Sequence, residues 1–230
     1  MINLRRLVVT GFVLVGGVAA HAQSDEPSFR PRHFTLSAGW IFDGGYPVGE
    51  SNAELRRNAA GTAPPFTLFR ADSDFGHANG VEARIAYAIT PGVAIEVGAG
   101  YAKPRLAIVI AQDSEASDPG SIVDEITQYT IDVTGVIQLP RMKLGARTRP
   151  YATVGVGYLR QLDQERLLIE TGRIYHVGGG IRYWIRGGSA TSRSWGLRAD
   201  ARYVRRTGGI DFEDRARGHP SFSLLAFAGF

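Results

Sequence analysis

The chain has 230 residues, with 26 basic and 22 acidic side chains and 44% apolar residues, so a net charge of only +4 on ample apolar surface excludes a disordered protein. The absence of cysteine excludes disulfide scaffolds, zinc knuckles, thiol catalysis and lipid anchoring at a cysteine, and 29 glycines argue against a helical bundle. Lys103 and Lys143 are the only lysines, so the basic character is almost wholly arginine.

Arg5 and Arg6 precede an uncharged run from Leu7 to Ala20, which leads into Ala20-His21-Ala22. A positive start, a short apolar core and an A-x-A end are the parts of a secretory signal peptide, predicted to be cleaved after Ala22. The run is shorter than the ~20 residues a helix needs to cross a bilayer. Residues 23–32 then form a short periplasmic lead, and 33–230 the folded domain. No later apolar stretch is long enough for a spanning helix, so any membrane-crossing structure must be built of strands.

Period-two alternation marks eight strands. His33 to Phe42 places Phe34, Leu36, Ala38, Trp40 and Phe42 on one face. Gly80 to Thr90 and Val93 to Tyr101 flank Pro91-Gly92 as a tight hairpin. The fourth lies between Glu125 and Leu139, the fifth at Tyr151 to Tyr158, the sixth at Tyr175 to Ile185, the seventh at Trp195 to Tyr203, and the last at Phe222 to Phe230. Such alternation fits a soluble sandwich or barrel with its apolar face inward, or a membrane barrel with that face outward.

The aromatics discriminate. Phe34 and Phe42, Tyr175 and Tyr183, Trp195 and Tyr203, and Phe222 and Phe230 are pairs eight residues apart on the apolar parity. At ~3.3 Å per residue and a tilt near ~40°, that spacing projects to roughly 20 Å, close to the apolar band between the aromatic girdles of a membrane barrel. With both termini in the periplasm, one girdle gathers Phe34, Tyr87, Tyr183, Trp195 and Phe230, and the other Phe42, Tyr101, Tyr129, Tyr158, Tyr175, Tyr203 and Phe222. Short turns fall on the first rim, and the long connections Asp43–Asn79 and Val204–Ser221 on the second. The prediction is an all-β, antiparallel, up-and-down transmembrane β-barrel of eight strands, with short periplasmic turns and long extracellular loops. A further hairpin within 43–79 would make ten strands. Leu106–Ile110 and Leu167–Ile169 either extend strands into a projecting sheet or pack as loops.

The construction resembles the small OmpA/OmpX-type eight-stranded outer-membrane barrels over essentially all of Phe34 to Phe230. The Ala-His-Ala signal end, the aromatic pairs, the strand Gly196 to Tyr203 and the final Phe222-x-Leu224-x-Ala226-x-Ala228-x-Phe230 carry that resemblance. It implies the outer membrane of a Gram-negative-type cell. It also implies Phe230 as an assembly signal read by the barrel-assembly machinery, periplasmic chaperones in biogenesis, and outer-membrane lipids and lipopolysaccharide as surroundings. With the chain stopping at the last strand, no soluble peptidoglycan-binding domain is expected.

The inward parity carries Glu82, Arg84, Glu96, Asp132, Arg182, Arg198, Asp200 and Arg202, four acids and four bases. Glu96, Arg182 and Arg198 fall low, Arg84, Asp132 and Asp200 midway, and Glu82 and Arg202 higher, so each level holds both signs. A packed salt-bridge network is predicted, because side chains fill small barrels and buried charges must pair. The expected role is non-enzymatic, envelope-structural or surface-interacting; a hydrated interior would instead make a narrow pore for water, ions or small solutes. A lipid-modifying enzyme is the third reading, resting on inward-facing His176, but no serine stands beside it at recognisable spacing. His33, His77 and His219 show no metal-ligand spacing, and Gly178-Gly179-Gly180 lacks the context of a phosphate loop. No catalytic residue, cofactor or metal is expected. Arg56, Arg57, Arg205, Arg206, Arg215 and Arg217 are external candidates for lipopolysaccharide phosphates, or members of solvated mixed-charge loops. Nucleic acid is not expected as a partner of an exported chain.

Overall fold

A computed structural model describes residues 33–55, 66–113, 120–142, 144–145, 147–163, 169–186, 194–213 and 215–230. The predicted signal peptide, the periplasmic lead, Arg56, Arg57 and part of Leu167–Ile169 lie outside them. The strands are β1 (Phe34–Asp43), β2 (Tyr46–Leu55), β3 (Phe66–Phe75), β4 (Ala78–Thr90), β5 (Val93–Ala102), β6 (Arg105–Asp113), β7 (Ser121–Glu125), β8 (Thr127–Gln138), β9 (Thr148–Leu162), β10 (Ile169–Arg186), β11 (Ser194–Gly208) and β12 (Arg217–Gly229).

Eight of them close a barrel in the order β1-β12-β11-β10-β9-β8-β5-β4, every neighbouring pair antiparallel. Closure joins the first and last strands, from Thr35 opposite Gly229 to Asp43 opposite Ser221. The backbone N–H of Phe230 donates to the carbonyl of Phe34 at 2.9 Å. Strand length exceeds what alternation alone marked, because β9 to β12 run on beyond the apolar positions at one end.

The other four strands form a second sheet, β2-β3-β6-β7, at that end. It arises from two long hairpins. The β1–β4 ladder breaks at Gly44-Gly45 and Gly76-His77, then resumes as β2 with β3; the β5–β8 ladder breaks at Lys103-Pro104 and Ile126, then resumes as β6 with β7. Pairing of β3 with β6 fuses the hairpins, so the extra hairpin within 43–79 exists but lies outside the barrel, which keeps eight strands. Leu106–Ile110 is strand in this projecting sheet.

The burial pattern is inverted relative to a soluble protein. Arg84 is 2% exposed and Glu96 fully enclosed, while Trp40 is 61%, Val154 59% and Leu224 59% exposed. An apolar surface of that extent facing water would aggregate, and a charged core would have no reason to replace an apolar one; hydrocarbon as the outer solvent removes both difficulties. The predicted girdle aromatics point outward from the barrel wall, some touching across strands, as do Phe34 with Tyr87 (ring centroids 5.2 Å) and Tyr101 with Tyr129 (5.3 Å).

Candidate functional site

The eight inward charges meet in one network. At the lower level, Glu96 accepts from Arg182 at 2.6 Å and from Arg198 at 2.7 and 2.8 Å. Arg198 also donates to both oxygens of Asp200, at 2.7 and 3.0 Å. Above, Arg202 grips both Glu82 oxygens at 2.9 and 2.7 Å, and Arg84 donates to Glu82 at 2.6 Å. Arg84 holds Asp132 with two bonds, at 3.0 and 3.1 Å. Arg84 Nη1 stands 3.9 Å from Glu96, which links the two groups. Ser223 connects them again, lying 3.4 Å from Arg202 and 3.3 Å from Asp200. Paired forks of this kind are the strongest charge-assisted bonds, and they are what makes buried charge tolerable.

Glycines make the network possible. Arg84, Gly98 and Asp132 lie side by side across β4, β5 and β8; Thr134, Gly155 and His176 across β8, β9 and β10; Tyr151, Gly180 and Asp200 across β9, β10 and β11. In each triplet the middle residue has no side chain, so its two neighbours reach each other over bare backbone. A Cβ on Gly98 would sit 2.6 Å from Asp132 Oδ2, one on Gly155 2.3 Å from His176 Nε2, and one on Gly180 2.4 Å from the Tyr151 hydroxyl. Sequence reasoning missed Tyr151, whose hydroxyl donates to Asp200 and whose ring lies under Arg198 and Arg182, 5.0 and 5.2 Å from centroid to guanidinium carbon.

His176 is buried, with Nε2 3.1 Å from Thr134 Oγ1 and 3.4 Å from Asp132. Thr134 gives its own proton to Asp132 at 2.6 Å. A catalytic relay needs nucleophile and acid on opposite ring nitrogens; here both candidates face the same nitrogen, in the barrel interior.

The upper mouth is covered. Tyr46, Val48, Phe75, Leu106, Ile126 and Ile210 form an apolar cluster joining the projecting sheet to the loop between β11 and β12. That loop turns inward through Gly208 and Gly209, at φ +75° and +80°, where a side chain would be strained. The Ile210 N–H donates to Gln161 at 2.9 Å.

Arg206 lies beneath the cover, 2% exposed, and corrects the external placement expected for it. Because β11 runs to Gly208, Arg206 keeps the inward parity of Arg198 and Arg202. Its guanidinium lies 4.1 Å from the Tyr46 ring centroid and 5.3 Å from that of Phe75, donates to the Ile210 carbonyl at 2.8 Å and hydrogen-bonds the Tyr46 hydroxyl. Burial pushes the Tyr46 phenol up, which keeps it neutral beside this cation. Arg217 also serves the cover, donating to Asp211 at 3.2 Å, Glu213 at 2.9 Å and the Val48 carbonyl at 2.8 Å. Arg215 is exposed and pairs with Glu213 at 3.2 Å; Arg205 points outward.

Between cover and network is a cavity of about 50 Å³, lined among others by Glu82, Asp132, His176, Arg202, Arg206 and His219. Polar and apolar side chains share its lining, and it is large enough for a few water molecules, which suit the Nδ1 atoms of both histidines and the Nε atoms of both arginines, groups without a protein partner. No cluster of candidate metal ligands occurs among the described residues.

Comparison with known proteins gives likeness in fold. No family model matches the chain, and no curated protein matches it. Among solved structures, the outer membrane protein OprG from Pseudomonas aeruginosa aligns over 87% of this chain and 96% of its own, at 9% identity and a TM-score of 0.50. The N-terminal β-barrel domain of OprF from the same organism aligns over 86% and 98%, at 11% identity and a TM-score of 0.36. The β domain of the Bordetella autotransporter BrkA aligns over 86% and 100%, at 10% identity and a TM-score of 0.37. The outward apolar band, its two aromatic girdles and the likeness to OprG together give this chain the fold of an eight-stranded outer-membrane β-barrel.

Proposed function

We propose that the protein is a non-enzymatic barrel of the Gram-negative outer membrane with a structural or surface-interaction role: a sealed post that anchors the β2-β3-β6-β7 sheet and holds it in front of the membrane. The observation that carries this reading is the filled interior. A permeating ion would have to part Glu96 from two arginines and displace Tyr46 and Phe75 from above Arg206. The sheet offers exposed Phe69, Val109, Ile122 and Val123 to a partner at the surface.

The test is electrical. Reconstituted in planar bilayers, the refolded chain is expected to give no discrete conductance steps; reproducible stepwise openings would overturn the reading in favour of a narrow pore. The placement of His176 supports a role outside catalysis, and acyl-chain turnover of phospholipid or lipopolysaccharide is expected to be the same with wild type and with His176→Ala. In biogenesis, the chain passes from periplasmic chaperones to the barrel-assembly machinery, with Phe230 as part of the signal.

A further inference from the structure

Just above the upper girdle, the outward face of the barrel is charged on one side. Arg160 on β9, Arg173 on β10 and Arg205 on β11 are exposed and point away from the barrel axis. Each stands opposite a girdle tyrosine on the preceding strand: Tyr129 opposite Arg160, Tyr158 opposite Arg173, Tyr175 opposite Arg205. Successive arginines are thus two residues apart in register, a diagonal step of about 7–8 Å that roughly follows the slant of the strands around the wall. None of the three has a carboxylate within salt-bridge distance among the described residues, whereas the network, Lys103 and the loop arginines Arg215 and Arg217 all do. On the far side of the barrel the same level carries His77, Asn79 and Pro220.

A cleft of about 940 Å³ adjoins this arc. Tyr101, Tyr129 and Tyr158 line it at girdle height, Ile131 below them in the apolar band, and Lys103 with its partner Glu125, Arg160 and Asp163 above. Its chemistry therefore changes from apolar to charged over the depth at which a lipid changes from acyl chain to headgroup, and the excess of positive charge comes from the arginine arc beside it. Guanidinium forks match phosphate oxygens, and tyrosine places an apolar ring and a hydroxyl at the same boundary.

We propose that Arg160, Arg173 and Arg205, with Tyr129, Tyr158 and Tyr175, form a binding site for the phosphate groups of a phosphorylated glycolipid of the outer leaflet, of the lipid A type. Arginines pointing into headgroups have no carboxylate to hold them, and phosphate supplies the missing partner; acyl chains lie along Ile131 and its neighbours. The site rests on the reading of the apolar band as membrane-embedded with this end outermost.

The test uses the full chain refolded in detergent and checked for assembly by heat-modifiable gel migration. Native mass spectrometry and fluorescence titration would follow binding of bisphosphorylated lipid A, of the same lipid with its phosphates removed, and of inorganic phosphate. Variants are the triple substitution R160Q, R173Q, R205Q, the single Arg173→Gln, and Arg186→Gln, an exposed cation near the opposite rim. Lipid A is expected to bind wild type and Arg186→Gln alike, and the triple variant about a hundredfold more weakly, from roughly fivefold per arginine at a lipid surface. The single variant should fall between, and the dephosphorylated lipid should bind wild type as weakly as lipid A binds the triple variant. Unchanged binding in an assembled triple variant, or equal affinity for the dephosphorylated lipid, would overturn the proposal. Displacement of lipid A by millimolar inorganic phosphate would reduce the site to a general anion patch and overturn its assignment to glycolipid. A wild-type chain that stays monodisperse without detergent would instead remove the membrane reading, and the site with it.

Discussion

Gly155 shows how much depends on an atom that is absent. A methyl group there would meet His176 Nε2 and Thr134 Oγ1 at once, 2.3 and 2.8 Å away, so Gly155→Ala is expected to destabilise the barrel by about 1–3 kcal/mol, the usual cost of overpacking. Urea unfolding in micelles would measure it, and His176→Ala in the same chain should recover part of the loss. Glu96→Gln is expected to cost more, about 3–5 kcal/mol, because it leaves Arg182 and Arg198 facing each other without a carboxylate between them. The identity of the inward charges was legible from parity alone, since a side chain two residues along a strand returns to the same face. Their partners were not: Tyr151 finds Asp200 only across an intervening strand, and that juxtaposition depends on two registers at once. Arg206 carried a readable signal, its spacing of four from Arg202, but the adjacent Arg205 made the pair look like a loop.

At the scale of elements, the two long hairpins do separate work in their lower and upper halves. The lower halves are barrel wall; the upper halves fuse through β3 and β6 into the cover. Replacing 46–75 by a short turn is therefore expected to leave heat-modifiable migration intact while hydrogen exchange rises at 206–210, where Tyr46 and Phe75 are lost from Arg206. The same exchange measurement reads the latch of the last loop. Hydrogen bonds from Arg217 and from the Glu50 backbone hold the Glu213 carboxyl below its ordinary value of 4.5. A lowered carboxyl contributes stability above its unfolded pKa and loses it as pH falls through the folded value, so residues 211–213 and 215–217 should loosen in acid below about pH 4.5 relative to pH 7. The barrel strands were legible because alternation is strict wherever one face meets hydrocarbon. The cover was half-hidden: β2, with Pro47, Gly49 and two register shifts, follows no simple alternation and owes its conformation to pairing with β3.

For the whole molecule, closure sets the terms of assembly. The last strand supplies one side of the β1–β12 seam, and Phe230 ties its end to Phe34. Deleting Phe230 is expected to lower the folded, heat-modifiable fraction in outer-membrane preparations while export to the periplasm continues; normal levels there would count against its role as a signal. The overall architecture followed from arithmetic on the sequence, strand length against bilayer thickness, because a membrane restricts the possible folds so severely. What the barrel displays was beyond such arithmetic, since nothing about hydrocarbon constrains the exposed residues of the projecting sheet.

The charge network imposes an order in time. Glu96 lies on the third wall strand in the chain and its arginines on the sixth and seventh, so a newly made N-terminal half holds three inward carboxylates with Arg84 alone to serve them, and Glu96 has neither of its hydrogen-bonding arginines. Inserting that half into lipid one hairpin after another would expose bare anions to hydrocarbon. Productive insertion is therefore expected to wait until both halves are present and to proceed as a unit.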